Sequence, residues 1–176
     1  MKKHFALVLC CFAGFMFLTS CNNNPEKKFD VAVLNSNMLV GFANNGLDRE
    51  LESPSAKMGK TKDEILTMQR GEVIDAKIKF VEDNYEKLKE FSQDDDAKDI
   101  VQKSLSLHEL ILPVYKNEYT QLAKLYDSNA PKEEIEKLRQ SIHDQYFPKF
   151  ETLYKELIAS GKVYAKAHKI DVHWGQ

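Results

Sequence analysis

Apolar residues divide this chain into an N-terminal apolar run and a longer part with helical periodicity. Beyond residue 28, apolar side chains recur at steps of three or four, the period of an α-helix with one buried face. Short segments rich in Asn, Asp, Gly, Ser and Pro interrupt the pattern, which predicts four helices. Their stripes are Val31, Leu34, Met38, Phe42; then Ile74, Ile78, Val81, Tyr85, Leu88; then Val101, Leu105, His108, Leu112, Tyr115, Tyr119, Leu122, Tyr126; and Ile135, Leu138, Ile142, Tyr146, Phe150, Leu153, Leu157, Tyr164.

Capping and turn residues predict where these helices begin and end. The first stripe weakens at residues 44–46, and the pattern leaves open whether residues 44–52 extend the first helix. Thr61 and Glu64 have the spacing of a capping box, which predicts that the second helix begins there. Pro131 follows a turn at residues 127–130 and suits the first turn of the fourth helix.

The short connections predict an all-α fold, an elongated antiparallel up-down-up-down four-helix bundle that forms a single domain over residues 29–176. Pro113 and Pro148 lie inside the third and fourth helices, where proline kinks a helix. Counted outward from the turn at Asn129, they lie 16 and 19 residues away. The difference of three residues corresponds to about 4.5 Å along a helix axis, so both kinks are expected at nearly the same height.

Aromatic and histidine side chains gather near the level of the two prolines. One interpretation is a widened gap between helices that binds a small molecule or peptide. The other is a curved bundle whose tyrosine hydroxyls reach solvent from its rim. The candidate ligand-binding residues are Tyr115, Tyr119, His143, Tyr146 and Phe150.

The N-terminal apolar run has the organisation of an export signal. Lys2 and Lys3 give a positive head, and a 14-residue apolar run from Phe5 to Leu18 precedes two small residues. A membrane span needs roughly 20 apolar residues, so this run is too short for a retained anchor. We therefore predict a cleaved signal peptide over residues 1–20.

The end of this run, Leu18-Thr19-Ser20-Cys21, resembles the lipobox of bacterial lipoproteins. The resemblance implies cleavage before Cys21 and acylation of its sulfur and amino group by palmitate-type chains. Several acyl chains on one residue exceed the single chain that gives only marginal membrane binding. Residues 21–28 would then be the lipidated cysteine and a polar tether. The alternative is an ordinary secretory signal followed by a chance cysteine.

The resemblance also bears on localisation, which we expect to be the bacterial cell envelope. Asn22 is not the aspartate that, among sorted lipoproteins, favours the inner membrane. In a bacterium with two membranes, this favours the outer membrane, facing the periplasm.

Composition limits the possible partners and stabilising features. Removing Lys2 and Lys3 with the signal leaves 23 basic residues against 27 acidic ones, a net charge of −4. Nucleic-acid binding requires a concentrated basic face, so no nucleic-acid partner is expected. Cys10 and Cys11 lie in the signal and Cys21 takes the lipid, so the packed core must supply the stability without disulfides.

Motifs for known chemistry are rare in the sequence. It contains no Glu-x-x-His pair for a di-iron site, no Cys-x-x-Cys-His for haem, and neither Gly-x-Ser-x-Gly nor His-Glu-x-x-His. His168, Asp171 and His173 form a small cluster of residue types that suit zinc or copper, and they are the candidate metal ligands. We predict no cofactor and no enzymatic activity; an unfamiliar enzyme would need carboxylates buried within the bundle.

From "LKEFSQDDDAKDIVQKSLSLHELILPVYKNEY" to "AKAHKIDVHW", the chain resembles small uncharacterised bacterial surface lipoproteins with helical-bundle domains. The resemblance rests on pattern and brings no site residues. The sequence thus predicts a non-enzymatic, lipid-anchored protein of the envelope that binds a protein or peptide or has a structural role. The alternative is a small-molecule or metal carrier, using the aromatic level or the C-terminal histidine cluster.

Overall fold

The structure, a computed structural model, describes residues 24–61 and 63–174 and is mostly helical, so the all-α prediction is confirmed. One antiparallel hairpin interrupts the helices, with Lys57 opposite Leu66. The elements are α1 (Pro25–Ala32), a 3-10 helix (Leu34–Leu39), α2 (Asn45–Glu52), β1 (Ala56–Met58), β2 (Ile65–Thr67), α3 (Arg70–Glu90), α4 (Lys98–Val114), a π-helical turn (Tyr115–Tyr119), α5 (Thr120–Asp127) and α6 (Lys132–His168).

The prediction of one continuous first helix is wrong, because α1, the 3-10 helix and α2 occupy this part of the chain. The side chain of Asn44 accepts a hydrogen bond from the Gly46 amide (2.7 Å) and caps a new helix there. Ala43 just before it has a left-handed backbone (φ 52°), which no continuous α-helix contains. Met38, predicted on the buried face, is 63% exposed. Residues 45–52 therefore form a helix of their own.

The predicted start of the second helix at Thr61 is also wrong. Glu64 belongs to the turn of the hairpin, where its carboxylate accepts a hydrogen bond from the Lys60 amide (2.8 Å). Helix α3 begins at Arg70, and the Glu72 carboxylate accepts a hydrogen bond from the Gln69 amide (2.8 Å) in the manner of a capping box. The same short motif can thus close a hairpin turn or start a helix.

The folded part begins earlier than predicted. Helix α1 starts at Pro25, within the segment predicted as tether, and both Lys28 and Phe29 are fully buried. The Lys28 ammonium lies 2.6 Å from a carboxylate oxygen of Asp94, in the connection between α3 and α4. This ion pair and the burial of Phe29 explain why the segment is helix and leave only residues 22–24 between Cys21 and the domain.

The core lies between the longest helices, of which α4 and α6 pack in opposite directions. Helix α6 packs mainly against α4, while α3 packs against α4 and α5. Asp96, just before α4, contacts Tyr164 and His168 near the end of α6, whereas Glu118 in the π-helical turn contacts Tyr146 near the middle of α6. Helices α4 and α6 are therefore antiparallel. Over the described residues, no helix combines the length and the hydropathy needed to cross a membrane.

Candidate functional site

Three of the five predicted ligand-binding residues meet in a packed aromatic cluster around Phe42. Its ring centroid lies 5.5 Å from that of Tyr115, 6.0 Å from Tyr119 and 5.3 Å from Phe150. All four residues are at most 4% exposed, and the Tyr119 hydroxyl accepts a hydrogen bond from the Ala43 amide (2.9 Å). These aromatic residues, predicted at one height of the bundle, are thus in contact and form part of the hydrophobic core.

The other two predicted residues, His143 and Tyr146, both lie on α6 but have different surroundings. His143 places Nδ1 2.9 Å from the carbonyl oxygen of Ala43, and its ring stacks on Phe147 with centroids 5.0 Å apart. The Tyr146 hydroxyl donates to a carboxylate oxygen of Glu118 (2.8 Å). Hence His143 borders the aromatic cluster, whereas Tyr146 faces a groove.

This groove, which we call the α4/α6 groove, has a volume of about 600 Å³. Leucine, valine, proline and tyrosine side chains supply apolar surface, while charged side chains border it. Its apolar and amide-bearing walls include Leu110, Pro113, Val114, Asn117, Tyr146 and Leu153. The charged groups are Glu109, Glu118 and Lys149. One of the two predicted kink prolines therefore forms part of the wall.

Tyrosine hydroxyls hold both carboxylates of the groove. Tyr85, on α3, donates to Glu109 (3.0 Å), and Tyr146 donates to Glu118 (2.8 Å). These hydrogen bonds raise the pKa of both tyrosines, because they favour the protonated hydroxyl. One oxygen of each carboxylate thus accepts a tyrosine hydroxyl. No other hydrogen bond to either carboxylate occurs among the described residues, so the second oxygen can accept one from a bound partner. Sequence reasoning missed these acids because their tyrosine partners come from other helices.

A buried polar network lies in the core between the 3-10 helix, α3 and α4. The Asn84 amide nitrogen lies 3.1 Å from the Val31 carbonyl and 3.0 Å from Nε2 of His108, and Asn35 donates to the Asn84 amide oxygen (2.6 Å). His108 Nδ1 lies 2.7 Å from the Ser104 carbonyl, which can only accept, so the proton sits on Nδ1. Burial lowers the pKa of His108. Each of these groups is satisfied within the protein, which is typical of a structural network.

The candidate metal ligands at the end of α6 do not assemble into a metal centre. His168 Nε2 lies 3.2 Å from Asp96, and its ring packs 4.2 Å from that of Tyr164. Within residues 24–61 and 63–174, no group of three or more His, Cys, Asp or Glu is placed to hold a metal ion. His168, Asp171 and His173 are thus not brought together, and His168 instead helps to fasten α6 to the start of α4.

Cys21, the predicted lipidation site, lies outside the described residues. No protein-family model matches the chain, and neither a curated protein nor a solved structure matches it. The lipobox and the resemblance to surface lipoproteins therefore stay predictions.

Proposed function

We propose that this chain is a non-enzymatic, lipid-anchored protein of the bacterial envelope whose helical domain binds a peptide or protein helix in the α4/α6 groove. The observation that carries the proposal is the groove itself, with its apolar walls and its two carboxylates held by tyrosines. The N-terminal pattern that ends at Cys21 supports the anchor.

The dimensions of the groove suit a helical segment. Along α4 and the π-helical turn, its walls extend from Ser106 to Glu118, about 18 Å at the rise of an α-helix. This length matches about three helical turns of a partner. Amphipathic helices commonly dock with their apolar face in such a groove, and charged residues at the rim then set register and specificity.

The proposal includes the finer architecture expected from the sequence, with the α1 to α2 segment in the place of the first helix of an elongated antiparallel bundle. The contacts of Glu118 with Tyr146 and of Asp96 with Tyr164 support a register in which Pro113 and Pro148 lie at similar heights. Proline and π-helical turns are the usual causes of helix kinks, and the π-helical turn directly follows the end of α4. Kinks at this level would widen the groove.

The short connection between Cys21 and α1 supports a domain held close to the membrane. Residues 22–24 span at most about 10 Å when extended. The ion pair of Lys28 with Asp94 fixes α1 against the connection between α3 and α4, so the anchor would lie at this end of the domain. Pro113, in the wall of the groove, follows Lys98 at the start of α4 by 15 residues. The groove therefore lies about 22 Å along the axis of α4 from this end of the domain.

Metabolic labelling with a palmitate analogue tests the anchor, with a matched cysteine as control. In a bacterial host, Cys21→Ser should abolish incorporation of the label and release the protein from membranes. Cys11→Ser, which changes a cysteine within the predicted signal, should leave both unchanged. Equal labelling of the Cys21→Ser variant would contradict the anchor.

Site-specific photo-cross-linking in cells tests the groove. A photo-reactive amino acid at Leu153, in the groove, should form a discrete cross-link to one partner, whereas the same group at Val163 should not. Val163 is a matched control, because it lies on the same helix and is 71% exposed. Leu153→Arg should abolish partner binding while Val163→Arg preserves it. Cross-links of equal yield from both positions would contradict the groove as the binding site.

A further inference from the structure

A second cavity, separate from the α4/α6 groove, lies between the 3-10 helix, the base of the hairpin and α3. Its volume is about 240 Å³. Apolar side chains from these three segments dominate its wall; they are Met38, Leu39, Met68, Val73, Phe80 and Val81. Two of them are methionines, whose flexible side chains adapt to the shape of a bound molecule.

The hydroxyl of Tyr115 lies at the wall of this cavity. This residue is 1% exposed and lines the cavity, and its hydroxyl forms no hydrogen bond with any residue that the structure describes. The neighbouring Tyr119 differs, because its hydroxyl accepts a hydrogen bond from the Ala43 amide. A hydroxyl that lines a mostly apolar cavity and has no protein partner there can donate a hydrogen bond to a ligand oxygen.

The charged groups on the wall favour an uncharged ligand. Glu50 and Lys77 form an ion pair across 2.9 Å, so together they add no net charge. Burial, and after it the nearby carboxylate of Glu50, raises the pKa of Tyr115, so its hydroxyl is protonated and can donate at neutral pH. An anionic ligand would have to leave water for a mostly apolar site whose paired charges offer no net positive charge to balance it.

We propose that this cavity binds a small, uncharged and largely apolar molecule with one carbonyl or hydroxyl oxygen, which accepts a hydrogen bond from Tyr115. The size agrees with this class, since an apolar cavity of about 150 Å³ is enough for benzene. A cavity of about 240 Å³ therefore accommodates an aromatic ring with a short polar substituent. This site is independent of the α4/α6 groove and of the lipid anchor.

Binding of three matched probes to the purified full chain tests the site by calorimetry and ligand-observed NMR. Acetophenone has the ring and the carbonyl, ethylbenzene has nearly the same shape without the oxygen, and benzoate carries a negative charge. Acetophenone should bind with one-to-one stoichiometry, ethylbenzene more weakly and benzoate most weakly. Absence of acetophenone binding, or tighter binding of benzoate, would overturn the proposal.

Two conservative variants identify the hydrogen bond. Tyr115→Phe should weaken acetophenone binding by about 2- to 12-fold, the effect of one neutral hydrogen bond, and leave ethylbenzene binding unchanged. Tyr119→Phe, which removes a buried hydroxyl outside the cavity, should change neither. An equal loss for both probes in Tyr115→Phe would refute a specific role of the hydroxyl.

A third variant tests the location without altering the tyrosine. Ala76 lies at the exposed border of the cavity on α3, so Ala76→Leu should obstruct the entrance and weaken both acetophenone and ethylbenzene. Leu153→Arg in the groove should leave both unchanged. The opposite pattern would move the probe site to the groove and contradict the proposal.

Discussion

Mild acidification should destabilise this domain through His108. The residue is fully buried, and its Nε2 accepts a hydrogen bond from the Asn84 amide while Nδ1 donates to the Ser104 carbonyl. Protonation of Nε2 would replace this acceptor with a donor that faces another donor, and would bury a positive charge. Burial therefore lowers the pKa of His108 in the folded state.

The sign and size of the effect follow from linkage between proton binding and folding. An unfolded histidine has a pKa of about 6.5. Above that value His108 is neutral in both the folded and the unfolded state. Below it the unfolded chain binds a proton that the folded chain does not, so the free energy of unfolding decreases as the pH is lowered. The slope is at most about 1.4 kcal/mol per pH unit, and integration from pH 7.5 to 5.5 gives a loss of up to about 1.4 kcal/mol. The loss continues until the pH reaches the folded-state pKa.

Urea unfolding of the wild type and two histidine variants at pH 7.5 and 5.5 measures this loss. The wild type should lose up to about 1.4 kcal/mol more than His108→Gln between the two pH values, because the variant has no imidazole to protonate there. His143→Gln, at the edge of the aromatic cluster, keeps His108 and is the control, so the loss that His108→Gln removes should persist in it. Equal losses in the wild type and His108→Gln would refute the argument, as would an NMR pKa of His108 at or above 6.5.

Three further changes test the packing and the groove. In Gly161→Ala the new Cβ would lie 2.8 Å from Val33 Cγ1, so overpacking of about 1–3 kcal/mol should outweigh a helix-propensity gain of about 1 kcal/mol. In a Val33→Ala background, which removes this contact, the same change should stabilise the protein. Urea unfolding measures both effects. Lys28→Met should destabilise by about 1.5–3 kcal/mol and, by NMR titration, raise the pKa of Asp94, which the Lys28 hydrogen bond now lowers. Tyr146→Phe should reduce the photo-cross-link yield at the groove without lowering the unfolding free energy by more than about 1.5 kcal/mol. An unchanged yield would show that the tyrosine hydroxyl has no role in partner binding.

The long helices were predictable because each buries one face over many turns. The stripes from Ile74 to Leu88 and from Val101 to Leu112 lie within α3 and α4, where the structure has regular helix. The first segment was not predictable in the same way. Its apolar residues from Val31 to Phe42 keep the helical period although the chain changes from α1 to a 3-10 helix, and a left-handed residue, Ala43, follows. Apolar spacing does not report backbone dihedral angles.

Contacts distant in sequence explain the other wrong predictions. Lys28 looked like part of a polar tether, yet it pairs with Asp94, 66 residues further along the chain, and is buried. Thr61 and Glu64 fit a helix start by spacing alone, whereas the pairing of β1 with β2 places Glu64 in a hairpin turn. A single sequence reports neither kind of pairing.

The candidate site was partly predictable for the same reasons. Helical spacing brought Tyr115, Tyr119 and Phe150 to one level, which the structure shows as a packed cluster. The spacing did not show that the Tyr115 hydroxyl lines a cavity, because that cavity depends on the 3-10 helix and the hairpin. The pairing of Glu109 was not predictable either, because its partner, Tyr85, comes from α3.

Intact mass spectrometry of the full-length protein, gently extracted from the membranes of its own host, is the most direct test of a lipid-anchored envelope protein. We expect a chain that begins at Cys21 and carries the added mass of its acyl chains. A mass that includes residues 1–20, or a chain that begins at Cys21 without acyl groups, would contradict the anchor and with it the proposed place of this domain at the membrane.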